Sequence, residues 1–198
     1  MATGTPTAAR ALKLYRLNEA QFATMCRADV FGDRKVELLG GLLFPMVTNP
    51  PHNRTVLRTS RGFNRLLSEE DWTVWEEKSI RLDRHWIPSP DLAIARGPEV
   101  AFATRLAAAP DLAMVVEVSD TTYAKDRGLK WRKYAAVGIP IYWIANLAKR
   151  QFEAYTDPTG RGMAAAYRQC QIHGIDAVIP LILDGREFGR IAVKDVLP

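Results

Sequence analysis

The sequence predicts a mixed α/β (α+β) fold: a central mixed sheet flanked by helices, with an antiparallel hairpin near the N-terminus and antiparallel strands at the C-terminus. Three observations predict it. Residues 112–118, 124–137 and 141–145 read as strand, helix, strand, the pattern of a right-handed crossover between parallel strands. Two apolar runs flank Gly40-Gly41 in "KVELLGGLLFPMV", which signals a hairpin. The last third alternates short apolar runs with turn residues such as Asp184-Gly185, without a helical period.

The elements follow in order. Residues 1–13 are small and polar and read as a disordered arm, and 14–198 read as one domain. Asn18 caps a helix over 19–27, with Phe22, Met25 and Cys26 on one side. Pro50-Pro51 opens a helix over 52–67. Its Val56, Phe63 and Leu67 share one face, and Arg54, Arg58, Arg61 and Arg65 share the opposite one. Residues 72–75, 79–82 and 92–95 read as strands, and 97–111 as a connection with a helical turn. Gly138 stops the helix over 124–137. Strands follow over 151–155, 164–172, 177–183 and 187–193.

Composition narrows the function. The 198 residues carry a formal charge of +5, which suits a polyanionic partner without requiring one. Two cysteines, Cys26 and Cys170, are too few for a disulfide framework or a zinc cluster. The N-terminus lacks the apolar core of a secretory signal, and no apolar run reaches membrane-spanning length. The expectation is a soluble cytoplasmic protein with no membrane partner.

One residue asks for an explanation. Glu117 lies between two valines near the end of a strand that reads as fully buried. A buried carboxylate is costly without a cation or strong donors. Asp91 follows Pro90 at the mouth of the preceding strand, and Glu77 lies near another strand end. If these strands are neighbours, Asp91 and Glu117 meet at one sheet edge. A divalent cation would then relieve their repulsion, and oxygen ligands favour Mg²⁺ or Mn²⁺.

Each residue also has a structural reading. Asp91 can cap a turn. Glu77 adjoins Glu76, so one of the two can be merely solvated. Glu37 can pair with Arg34 or Lys35. His52 can be a structural histidine, and the arginine stripe a solvated face.

The segments "SPDLAIAR", "MVVEVSDTT" and "KDRGLKWRKYAAVGIPIYW" resemble the PD-(D/E)xK nuclease-like superfamily, and within it the Uma-two family of restriction-endonuclease-like proteins. The ordered set spans about residues 15–197 and is strongest over 90–143. The resemblance implies a restriction-endonuclease-like core and a metal site at Asp91 and Glu117. It implies Mg²⁺- or Mn²⁺-dependent hydrolysis of DNA phosphodiesters, with Glu37 at a position often acidic in the family as an outer acid; Glu77 would complete the site through a water or as an extra ligand. A homodimer would suit cutting of both strands.

The general fold carries a lysine two residues after the glutamate, where this chain has Ser119. Lys130 is the substitute, because Asp126, Lys130 and Tyr134 recur every four residues on one helix face. At α-helical spacing Lys125 points away from that face. Two further departures are Ile141, in place of the family's glutamate, and Asn146, in place of an aspartate. They motivate a second reading, a catalytically weak or inactive nucleic-acid-binding relative. A third, a carboxylate-pair hydrolase of a neutral substrate, leaves the arginine stripe without purpose.

Overall fold

The computed structural model describes residues 14–198; the predicted arm over 1–13 lies outside the described residues. Helix α1 (Glu19–Arg27) starts where Asn18 and Gln21 cap each other, side chain to backbone, both at 3.0 Å. This reciprocal cap satisfies two N–H groups that a helix start leaves open. Strands β1 (Val36–Leu39) and β2 (Leu42–Pro45) form the predicted hairpin. Gly40 and Gly41 turn it at φ +60° and +79°, a conformation that costs glycine little. Helix α2 (Pro50–Leu66) begins at Asn49, whose Oδ1 accepts the His52 N–H at 3.0 Å. The two prolines follow at once, where the missing N–H groups cost nothing.

The central sheet has six strands in sequence order: β3 (Trp72–Glu76), β4 (Leu92–Arg96), β5 (Leu112–Ser119), β6 (Ile141–Asn146), β7 (Gln151–Thr159) and β8 (Ala166–Gly174). Only β5 and β6 run parallel. The helical segment between them is the predicted crossover.

Alternation along the strands sorts two cores. Leu92, Ile94, Met114, Val116, Val118 and Trp143 face Val56, Phe63 and Leu67 of α2. Ala93, Ala95, Val115, Tyr142, Ile144 and Tyr155 face Tyr134 and Ala135 on the other side. The aromatic rings close each layer: Trp143 meets Phe63 at 6.0 Å between centroids, and Trp131 meets Tyr155 at 6.1 Å.

Two readings need correction, that of residues 79–82 and that of the crossover. Residues 79–82 form no strand; Ile80 N–H binds the Pro88 carbonyl and Arg81 N–H the Ala107 carbonyl. Pro88 and Pro90 offer no N–H in return, so no ladder propagates. The crossover is not one α-helix over 124–137. It is a short turn α3 (Tyr123–Lys125), a wide π-helical turn (Asp126–Lys130) and α4 (Trp131–Ala136). Strands β9 (Val178–Leu183) and β10 (Arg186–Ala192) pair only with each other, and their hairpin covers the α2 side of the core with α5 (Val193–Val196). Among the described residues no helix is long and apolar enough to cross a membrane.

Candidate active site

Strands β4 and β5 are antiparallel with Leu92 opposite Val116. One step further along that register Asp91 stands beside Glu117, and alternation turns both to the face that carries α4. Both are buried, as are Glu37 and Asp126. All four line a cavity of about 20 Å³ together with His52, Lys125 and Lys130. That volume suits one water or one ion and nothing larger.

The direct partners of Glu117 are Lys130 and Tyr134. Lys130 Nζ donates to Glu117 Oε1 at 3.0 Å, and Tyr134 Oη donates to the same oxygen at 2.7 Å. Lys130 also lies 3.0 Å from Glu37 Oε2. Burial alone would strip the Lys130 proton, but the charges of Glu117 and Glu37 prevail and raise its pKa. Burial opposes the Glu37 charge too; Lys130 and Lys125 outweigh it and lower that pKa. Glu117 is the least supported charge. Burial, then Asp126, Asp91 and Glu37, push its carboxyl well above the usual range against the pull of Lys130.

Lys125 is a correction. It does not point away, because its Nζ donates to Glu37 Oε1 at 2.8 Å. At α-helical pitch residues 125 and 130 would diverge by about 140°. The π turn between them, closed by Trp131 N–H on the Asp126 carbonyl, winds more residues into each turn and reduces that angle. Glu37 therefore pairs with Lys125 and Lys130, not with Arg34 or Lys35.

Asp91 is held from two sides. Val118 N–H donates to its Oδ2 at 2.6 Å, and His52 Nε2 lies 3.1 Å from its Oδ1. Burial disfavours the imidazolium, yet the Asp91 hydrogen bond and charge prevail and raise the His52 pKa. Glu77 directly follows β3 at φ +50°, unusual for a residue with a side chain, and pairs with Lys35. One ligand atom each from His52, Glu77 and Asp91 lies within 4.8 Å of the others.

His52, Glu77 and Asp91 would hold a small divalent ion after an inward shift of the three groups. Both hydrogen bonds of Glu117 fall on Oε1, which leaves Oε2 without one among the described residues. A small hard cation fits this oxygen-rich donor set with its single imidazole.

The remaining predicted residues have definite places. Ser119 Oγ donates to Asp126 Oδ2 at 2.7 Å, and Thr122 Oγ1 donates to the same oxygen at 2.5 Å. Asp126 thus braces the start of the crossover helix and does not reach Glu117 by a hydrogen bond. Asn146 Nδ2 donates to the buried Glu153 Oε1 at 3.2 Å; an aspartate there would repel it. Ile141 packs against the α2-side core. Arg54, Arg58, Arg61 and Arg65 have no ion-pair partner among the described residues. Sequence reasoning missed Lys125 and the Ser89 N–H that donates to Glu37 Oε2 at 3.3 Å. Gly128, mid-helix in "KDRGLK", was the one visible hint of irregular winding.

The family model Uma2, described as "Putative restriction endonuclease", matches residues 19–193. No curated protein matches the chain. Among solved structures, a "putative nuclease belonging to DUF820" from Anabaena variabilis ATCC 29413 superposes with a TM-score of 0.58 at 13% identity. The match covers 81% of this chain and 88% of that one, and at this identity it shows a shared fold.

Proposed function

The chain belongs to the Uma2 family, and on that premise we propose that it is an endonuclease that hydrolyses DNA phosphodiesters with Mg²⁺ or Mn²⁺. The observation that carries this reading is the meeting of Asp91 and Glu117 at the ends of paired strands, around an ion-sized cavity. Asp91 and Glu117 would hold the ion, and His52 and Glu77 each place one ligand atom within 4.8 Å of one from Asp91. The chemistry it supplies when bound is polarisation of a phosphate and a lowered pKa for the attacking water.

The chain's own residues prepare that chemistry. The Val118 N–H and His52 fix the two oxygens of Asp91. Tyr134 and Lys130 fix one oxygen of Glu117 and leave the other for a ligand. Lys130 delivers from the crossover helix the ammonium that Ser119 does not supply from β5. Its charge lies next to the reacting group and favours the negative charge that builds on a phosphate under attack. Burial of the whole cluster strengthens these interactions relative to water. The arginines of α2 would hold the DNA backbone.

A second reading keeps DNA binding and gives up most of the catalysis. It is favoured by Lys130, whose ammonium is already shared by Glu37 and Glu117. Incubation of plasmid DNA with Mg²⁺ or Mn²⁺ separates the two. Cleavage by wild type but not by Asp91→Ala or Glu117→Ala supports the endonuclease. Salt-sensitive binding without cleavage supports the second reading, and no binding at low salt removes both. Cutting both strands takes two sites, so sedimentation with and without duplex tests for a homodimer.

A further inference from the structure

The arginine stripe of α2 does not stand alone. Arg58, Arg61 and Arg65 form one wall of a cleft of about 530 Å³, and Arg190 of β10 and Lys194 of α5 form the other. These five cations face one acid, Asp195, within the cleft. That local surplus is nearly as large as the +5 of the entire chain. Arg190 has an exposed partner in Glu187 at 2.8 Å; the other four cations have none among the described residues. Arg54, nearest to His52 on the stripe, is not part of the cleft wall.

The two walls of the cleft pack against each other below it. Gly62 faces Ile191 where α2 packs on β10, and an added Cβ would make an ordinary contact at 3.4 Å from Ile191 Cδ1. Gly189, at φ +150°, would bring a Cβ to 2.5 Å from Leu66 Cδ2. The close approach of Gly189 to Leu66 thus packs the C-terminal hairpin against the end of the arginine helix.

We propose that this cleft is a second binding site, a track for the phosphodiester backbone of the nucleic acid at a distance from the reacting bond. The inference rests on the endonuclease reading and adds Arg190 and Lys194 to it. At 1.5 Å per residue, the cleft begins about 9 Å along α2 from His52 and ends about 20 Å from it. Guanidinium groups suit bidentate contact with phosphate oxygens, and each contact releases a counterion. The partner is a polyanion with regularly repeated phosphates.

Fluorescence anisotropy of a labelled DNA duplex, in chelator from 50 to 200 mM salt, tests the cleft. The comparison is wild type, Arg190→Ala/Lys194→Ala, Arg61→Ala/Arg65→Ala, and Arg168→Ala on the distant β8 as a control. The expected result is a log–log salt slope shallower by about 2 for each double variant and unchanged for Arg168→Ala. Circular dichroism checks that each variant folds. A wild-type slope in Arg190→Ala/Lys194→Ala overturns the inference, as does binding of anionic lipid vesicles in place of the duplex. Plasmid cleavage by wild type and not by Asp91→Ala, read in the same preparations, reports on the endonuclease separately. The cleft can therefore fail while the nuclease stands.

Discussion

Lys130 Nζ lies 3.0 Å from Glu37 Oε2 and 3.0 Å from Glu117 Oε1, so one buried ammonium joins the N-terminal hairpin to the central strand β5. Removing it leaves two buried carboxylates without their shared cation. Lys130→Met should cost about 3–5 kcal/mol of stability, the range for breaking a buried pair. Adding Glu37→Gln should recover part of the loss, because one stranded charge is then gone. Urea unfolding of the two single variants and the double variant closes the cycle. Simple additivity would mean that the two residues do not share an interaction.

Metal binding should read out as stability. An ion that binds only the folded chain adds about 2.7 kcal/mol at one hundred times its dissociation constant. Mn²⁺ should therefore raise the wild-type melting temperature, and chelator should reverse the rise. Asp91→Ala should show no rise. Glu117→Gln should lose the Mn²⁺ response yet be at least as stable as wild type in chelator, since its carboxyl is already the least supported charge. A lower melting temperature for Glu117→Gln in chelator would contradict that account.

Asn146 tests whether a departure from the family pattern is compensated elsewhere. Its amide donates to Glu153, which also accepts from Tyr155 at 2.5 Å, Tyr123 at 3.1 Å and Gln151 at 3.2 Å. Asn146→Asp would place a second carboxylate against this buried one. We expect a loss of roughly 1–3 kcal/mol, measured by thermal unfolding near neutral pH and smaller in acid, where one of the pair protonates.

A pH effect should come from the tie between β4 and the C-terminal hairpin. Arg96 binds Asp184 with both nitrogens, at 2.6 and 2.5 Å. The Arg96 hydrogen bond, ahead of the opposing effect of burial, lowers the Asp184 pKa. A lowered pKa means that the stabilisation is complete above the unfolded value of about 3.9 and is lost as pH falls through the folded value. Asp184→Asn should therefore be less stable than wild type at pH 6. The difference should shrink on acidification below about pH 4. A gap that stays constant down to pH 2 would rule out this pair as its source.

The helix starts and the hairpin were legible because they depend on local chemistry. Asn18, Gly40-Gly41 and Pro50-Pro51 each announce a turn or a cap that the neighbouring residues alone determine. The order of β4 and β5, and so the meeting of Asp91 with Glu117, followed from strand pattern and family resemblance together. What stayed hidden is long-range. Nothing local tells residues 178–192 to leave the central sheet, because an amphipathic hairpin suits either place. Nothing at α-helical spacing brings Lys125 to Glu37, because the period itself changes between them. The engagement of Asp91 by His52 joins residues far apart in the chain, and no pattern in one sequence encodes it.

The broad turn over 126–130 gives the crossover a fixed phase. Deleting a single residue there, such as Gly128, would let the segment rewind to ordinary pitch while keeping its hydrogen bonds. Lys125 would then stand four residues before Lys130, about 40° away at α-helical pitch, so both lysines would still face Glu37. Ser119, Thr122 and Asp126 all precede the deleted position and would keep their hydrogen bonds. The wide turn thus behaves as one absorbed residue, a spare link that the crossover carries without turning its lysines away from the hairpin.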